Sequence, residues 1–157
     1  MAGLIVKPRA RILHGHDWVF AAEVLKTFGH PADGDVISLK DGRDRLIGSA
    51  IYNSKSQIVA RRFSRRKQAL DLDFFQRRIA QAAQYRIRRG VNLQLCRVVW
   101  SESDGLPGVI IDRYGDRFVL QTVTRVYRGH INSYIKFRSG RVCIIEGNTA
   151  FKCFKDP

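Results

Sequence analysis

Acidic residues are scarce in this chain. Across 157 residues, 14 Asp+Glu stand against 28 Lys+Arg, a formal net charge of +14. The deficit is not confined to a tail: residues 1–67 carry 13 basic and 6 acidic side chains, and residues 68–157 carry 15 and 8. So sustained an excess, richer in arginine than in lysine, points to a polyanionic partner, with nucleic acid the first candidate. Cysteine is scarce too. Cys96, Cys143 and Cys153 are odd in number and form no CxxC, and His14, His16, His30 and His130 show no ligand spacing to them. A disulfide framework and a metal site are therefore not expected. Long apolar runs are also missing. None approaches the ~18 residues of a membrane span. In "MAGLIVKPRARIL" the basic residues follow the apolar ones and no cleavage site appears, unlike a signal peptide. A reduced, cytoplasmic protein without a membrane partner is expected.

The glycines are adequate in number but wrongly placed for a nucleotide. They occupy positions 3, 15, 29, 34, 42, 48, 90, 105, 108, 115, 129, 140 and 147. No two are separated by a single residue, so GxG and GxGxxG are both absent, and there is no GK[ST]. A dinucleotide, adenosyl or phosphate loop of the Gly-rich strand-to-helix kind has no support, and no cofactor is expected in this chain.

What is present reads as many short strands. "GLIVKP" (3–8) is a strand ended by Pro8. After "RARILHG", a short helix or turn, "WVF" resumes an apolar run. "GHPADGD" is a loop, and "DVISLKD", "LIGSAIYN" and "QIVARRFS" are strands set apart by "GRDR" and "SKS". About five strands at this spacing suggest a small closed barrel. "RRKQALD" (65–71) is a polar connector. Asp71 then caps a helix whose stripe is Leu72, Phe75, Ile79, Ala82, Ala83 and Ile87, with Arg77, Arg78, Gln81, Gln84 and Arg88 mostly off it and Gly90 as the stop. "CRVVWSE", "VIIDRY" and "RFVLQTV" follow as a β-meander. Residues 124–157 read unlike the rest, with 7 basic and 2 acidic side chains and one strand candidate, "RVCIIEG". The fold class is α+β: a small β pseudo-barrel, then a helix and an antiparallel β-meander. Domains are expected at 1–68 and 69–157.

Chemistry is sparse. Cys96 and Cys143 read as core residues, and no serine sits in a nucleophile elbow. "DGLPGVIIDRYGD" (104–116) holds three aspartates, but Asp104-Gly105, Pro107-Gly108 and Gly115-Asp116 are turn pairs, and only Asp112 lies mid-strand. No catalytic residue is expected. Nucleic-acid contact has more to offer. Lys7, Arg9 and Arg11 precede His14, Gly15 and His16, and "ARRFSRRK" supplies Arg61, Arg62 and Arg65. Cations clamp phosphates, an aromatic residue or a histidine can stack on an unpaired base, and a glycine lets the strand approach backbone amides. Trp18, Phe20 and Phe63 are expected in the core.

"LIVKPRARILHGHDWVFAAEV", "GDVISL…GRDRLIGSAIYNSKSQIVARRFS", "FFQRRIAQAAQYR" and "SESDGLPGVIIDRYGD" together resemble the start of a known family, from about residue 3 to about 123. It is the large-subunit ribosomal RNA cytosine-5 methyltransferases that carry an N-terminal PUA domain. "GHDWVF" and "DGLPGVIIDRYGD" are the most specific parts. The resemblance implies a PUA domain over residues 1–68 that binds RNA, ribosomal RNA by analogy, and the start of the family's central β/α domain from residue 69. In the family a Rossmann-like domain follows that holds S-adenosylmethionine, a catalytic cysteine and an Asp-Pro-Pro-type motif. This chain ends at "KDP" ahead of that domain, and residues 124–157 depart from the helix the family places there. A truncated gene, a shifted reading frame or a divergent short homologue would each produce this. The expected function is RNA binding without methyl transfer. The alternatives are a subunit or fragment of an S-adenosylmethionine-dependent methyltransferase, and a folded non-functional remnant that forms a homodimer through open meander edges.

Overall fold

Short apolar segments, buried along most of their length, build the first part of the chain. The computed structural model describes residues 2–122 in full and two further strands, at 141–146 and 149–154, by backbone alone. The chain separates into two compact units, Met1–Leu70 and Asp71–Pro157. The first holds six strands: β1 (Gly3–Val6), β2 (Trp18–Phe20), β3 (Val24–Phe28), β4 (Val36–Lys40), β5 (Leu46–Tyr52) and β6 (Ile58–Ser64). Strand β3 adds to the expected five. Its residues are mostly exposed, so it lacks the buried run that marks β1, β4, β5 and β6.

The six strands form one sheet in the order β2-β6-β5-β4-β1-β3. All pairs are antiparallel except β1 with β4, where Leu4 lies beside Leu39. The sheet is curled, and the reason is covalent. Its outermost strands, β2 and β3, are joined only by a three-residue 3-10 turn, Ala21–Glu23. Four Cα steps reach about 14 Å at most. Six strands laid flat would set their outer members about 24 Å apart. The sheet must therefore bend until its edges nearly meet. The unit is thus the expected pseudo-barrel, with a turn bridging β2 and β3 where the closed barrel suggested by strand spacing would have a ladder.

Leu4, Val6, Ala10, Ile12, Val19, Ile37, Leu39, Ala50, Val59 and Ala60 fill its interior. Each of the larger aliphatic residues stabilises the unit by about 1.5–3 kcal/mol through burial. Packing is tight at Gly3, where a Cβ would lie 2.2 Å from the Ser38 carbonyl oxygen.

The second unit begins with helix α1 (Leu72–Arg88), capped as expected: Asp71 Oδ1 accepts from the Phe74 amide at 2.8 Å. Its buried positions are Phe74, Phe75 and Ala82, while Leu72 and Ile87 are exposed. The buried face is rotated from the expected stripe toward the row Phe74, Arg78, Ala82, Arg86, in which both arginines are half-buried. Strands β7 (Leu95–Trp100), β8 (Val109–Tyr114) and β9 (Arg117–Thr122) form the meander, with a two-residue turn at Gly115-Asp116. Strand β10 (Arg141–Glu146) then runs parallel to β9, and β11 (Thr149–Phe154) runs antiparallel to β10. The sheet is therefore mixed at one seam. Cys96 is half-buried, not a full core residue. The Cys143 side chain and the helix expected after residue 123 lie outside the described residues. Among the described residues, no helix is long and apolar enough to cross a membrane.

The acids of residues 104–116 are structural in placement. Asp104 faces Arg86 in a two-pronged ion pair, Nη1–Oδ1 at 2.5 Å and Nη2–Oδ2 at 2.7 Å, with side chains only 14% and 9% exposed. Its Oδ2 also accepts from the Trp100 amide at 2.6 Å. Asp104 thus does more than the turn expected of it: it locks the 3-10 turn Ser101–Asp104 onto the helix. Asp112 accepts from Arg97 Nε and Nη2 at 2.7 and 3.0 Å across β7 and β8. Asp116 is exposed at the hairpin tip.

Candidate nucleic-acid interface

The site is built on the segment between β1 and β3. Ala10 and Ile12 are buried and hold the 3-10 turn Arg11–His14 against the barrel, which leaves Arg11, Leu13 and His14 outward. Gly15 ends that turn at φ 101°, a left-handed conformation that a side chain would strain. The chain then passes His16 and Asp17 into β2.

Glu23 ties the segment together. Its Oε1 accepts from the Arg11 amide and its Oε2 from the Phe20 amide, both at 2.9 Å, and Arg11 Nε lies 3.6 Å from Oε1. Lys7 Nζ donates to the Ala22 carbonyl at 2.7 Å. Lys7 and Arg11 are therefore brought to one turn.

Strand β2 points Val19 inward and Trp18 and Phe20 outward, as a two-residue period requires. The expectation that these two aromatic residues are core is corrected: Trp18 is 38% exposed and Phe20 half-buried, whereas Phe63 is buried. The rings meet edge-on with centroids 6.5 Å apart. The Arg11 guanidinium lies 4.5 Å from the Phe20 centroid, and that of Arg61, paired opposite Trp18 in the ladder, lies 5.0 Å from the Trp18 ring. Arg11, Phe20, Trp18 and Arg61 thus form a continuous cation–aromatic–aromatic–cation row.

Arg62 behaves differently from its neighbours. Its side chain is 5% exposed. Nε donates to Asp17 Oδ1 at 2.9 Å, Nη2 donates to the His16 carbonyl at 3.0 Å, and its amide donates to the Asp17 carbonyl at 2.7 Å. Arg62 pins the Gly15–Asp17 loop and presents no charge outward. Arg9, His14, His16 and Arg65 are exposed, with no side-chain hydrogen bond or ion pair among the described residues. Arg65 sits on the connector after β6, and no described contact joins it to the row.

The acids of this unit are largely consumed internally. Asp17 pairs with Arg62, Glu23 with Arg11, Asp33 with Lys55, Asp41 with Arg45 and Asp44 with Lys40. Asp35 accepts from the Ala32 amide. The Arg45 hydrogen bond, together with the Arg45 and Arg43 amides, holds the Asp41 carboxyl below the usual carboxylate range against the opposing effect of burial. None of these acids is paired with Arg9, Arg65, Arg66 or Lys67, so their charge faces solvent. Sequence reasoning missed Glu23 and the aromatic row. The available signal was Trp18 and Phe20 flanking an apolar Val19, the pattern of a strand with one wet face.

Comparison with known proteins places this geometry. Residues 4–65 match the PUA-like domain family. The chain is 36% identical over 125 residues to Ribosomal RNA large subunit methyltransferase I of Erwinia tasmaniensis, covering 77% of this chain and 32% of that protein. Against the Vibrio cholerae protein of the same name it is 37% identical over 123 residues, covering 76% of this chain and 31% of the relative. The chain thus spans about a third of the length of these curated relatives. A solved structure from Streptococcus mutans, described as a SAM-dependent methyltransferase, superposes on all of this chain and 44% of its own with a TM-score of 0.76 at 16% identity, a likeness of fold. The chain therefore carries a PUA-like domain and is homologous to the N-terminal PUA region of Ribosomal RNA large subunit methyltransferase I.

Proposed function

We propose that this chain is a cytoplasmic RNA-binding protein related to ribosomal RNA cytosine-5 methyltransferases, with ribosomal RNA as its target and no methyl transfer of its own. Residues 1–68 act as the RNA-binding PUA domain, and residues 69–157 as part of the central domain that family carries. Lys7, Arg9, Arg11, Arg61 and Arg65 neutralise phosphates. His14 and His16 lie near a base, and Gly15 lets the strand approach the turn. Arg62 holds that turn in place.

The observation that carries the reading is the charge arrangement of a PUA-like unit. Its carboxylates are spent on internal partners while Arg9, Arg65, Arg66 and Lys67 face solvent. Homology to a ribosomal RNA methyltransferase supports the choice of ribosomal RNA. Filter binding to ribosomal RNA fragments over a salt series tests it. Tight binding that weakens steeply with salt is expected, and no binding at low salt would reject it.

A second reading, a fragment or subunit of an S-adenosylmethionine-dependent methyltransferase, is favoured by the same homology. Calorimetry separates the two: clear binding of S-adenosylmethionine by this chain alone would favour the second.

A further inference from the structure

The proposed phosphate contacts do not explain why two large rings stand on the solvent side of β2. Val19 between them serves the interior, while Trp18 stays 38% exposed and Phe20 half-buried on the other face. Each ring is flanked by a guanidinium, Arg11 at Phe20 and Arg61 at Trp18, so cations bracket the aromatic pair. The scaffold is rigid at both ends. Glu23 fixes the backbone of Arg11 and Phe20, and the β2–β6 ladder sets Arg61 opposite Trp18. Trp18 keeps 38% of its surface exposed with Arg61 already laid over the ring.

An exposed Trp18 beside a half-buried Phe20, the pair bracketed by arginines, matches the chemistry of an unstacked nucleobase on a phosphate backbone. The base offers a π-face to the ring, and the guanidinium groups take the flanking phosphates. A duplex offers no free base face, so it gains only the cations. We infer that Trp18, between Phe20 and Arg61, is a stacking platform for an unpaired base, and that this row selects single-stranded over duplex RNA. The inference rests on the RNA-binding reading above and sharpens its substrate class.

The test uses the full chain, which has two tryptophans, Trp18 and Trp100. In a Trp100→Phe background, emission reports Trp18 alone. The probes are a ~10-nucleotide oligouridylate, an oligoadenylate of equal length, and the duplex they form. Both single strands are expected to quench Trp18 emission, and the duplex to leave it nearly unchanged. Trp18→Ala is expected to weaken single-strand binding by about 5- to 150-fold, the range for one lost base–aromatic stack. Trp18→Phe, which keeps a ring and guards against a folding artefact, is expected to stay within about 5-fold of the parent. Duplex affinity should not respond to either change. Single-strand binding with unaltered Trp18 emission, or with unchanged affinity in Trp18→Ala, would overturn the platform and leave the RNA-binding reading standing. Failure of the parent chain to bind any of the three probes would overturn both.

Discussion

Removing the Asp104 carboxylate should destabilise the second unit severely, because it strands a buried charge. Asp104 holds Arg86 through two hydrogen bonds of 2.5 and 2.7 Å, and both side chains are largely out of water. The remaining guanidinium contacts, to the Arg97 carbonyl at 3.1 Å and the Ala82 carbonyl at 3.4 Å, satisfy donors but supply no counter-charge. Deleting one partner of such a pair costs about 3–5 kcal/mol, since the other stays desolvated. A domain of this kind has about 5–15 kcal/mol in all, so Asp104→Ala removes between about a fifth of it and all of it. The assay is urea unfolding followed by Trp100 fluorescence in a Trp18→Phe background. Trp100 is suited to it because its amide donates to Asp104. Asp116→Ala, at the exposed hairpin tip, serves as control and should stay within about 0.5 kcal/mol of the parent. Replacing both partners, Arg86→Met with Asp104→Leu, should recover much of the loss. An Asp104→Ala variant that loses under about 1 kcal/mol would refute the structural role assigned to this carboxylate.

Two further outcomes separate holding residues from contacting ones. Arg62→Ala should destabilise the first unit by about 1–3 kcal/mol in thermal or urea unfolding, since its hydrogen bonds to Asp17 and His16 are lost from a buried site. Arg65→Ala should leave stability within about 0.5 kcal/mol yet lower RNA affinity and flatten the salt slope by about 0.7. Asp41 adds a pH dependence whose sign follows from its lowered pKa. A carboxyl lowered in the folded state contributes stability above its unfolded pKa of about 3.9, and that contribution fades as pH falls through the folded value. Thermal melts between pH 5 and 2 should therefore show a smaller acid-side decline for Asp41→Asn than for the parent.

The fold was legible where local chemistry decides it. Asp71 announces a helix through its cap, Gly115-Asp116 announces a hairpin, and the apolar residues of "DVISLKD" announce a strand, though Ser38 is buried along with Ile37 and Leu39 and the strand is not half-buried. Features set by distant partners were not. Arg86 is half-buried because Asp104 meets it, and seventeen intervening residues hide that pairing; without it, the helix stripe reads as purely apolar and misses Phe74, Arg78 and Arg86. Arg62 is indistinguishable in composition from Arg61 and Arg65 inside "ARRFSRRK". Only Asp17, forty-five residues away, marks Arg62 as the buried anchor. Strand β3 escaped notice because it lies at the sheet edge with most of its side chains in water, so no period-two signal survives. Trp18 and Phe20 read as core because large rings usually are. Their exposure follows from Val19 taking the one inward position that a three-residue edge strand offers.

RNA affinity as a function of salt tests the central claim most directly. Filter binding of the full chain to a single-stranded ribosomal RNA fragment, from 50 to 300 mM monovalent salt, gives the slope of log affinity against log salt concentration. If Lys7, Arg9, Arg11, Arg61 and Arg65 each neutralise one phosphate, the slope should be about −3.5, at about 0.7 per contact. A slope near zero, or no binding at the lowest salt, would contradict the account.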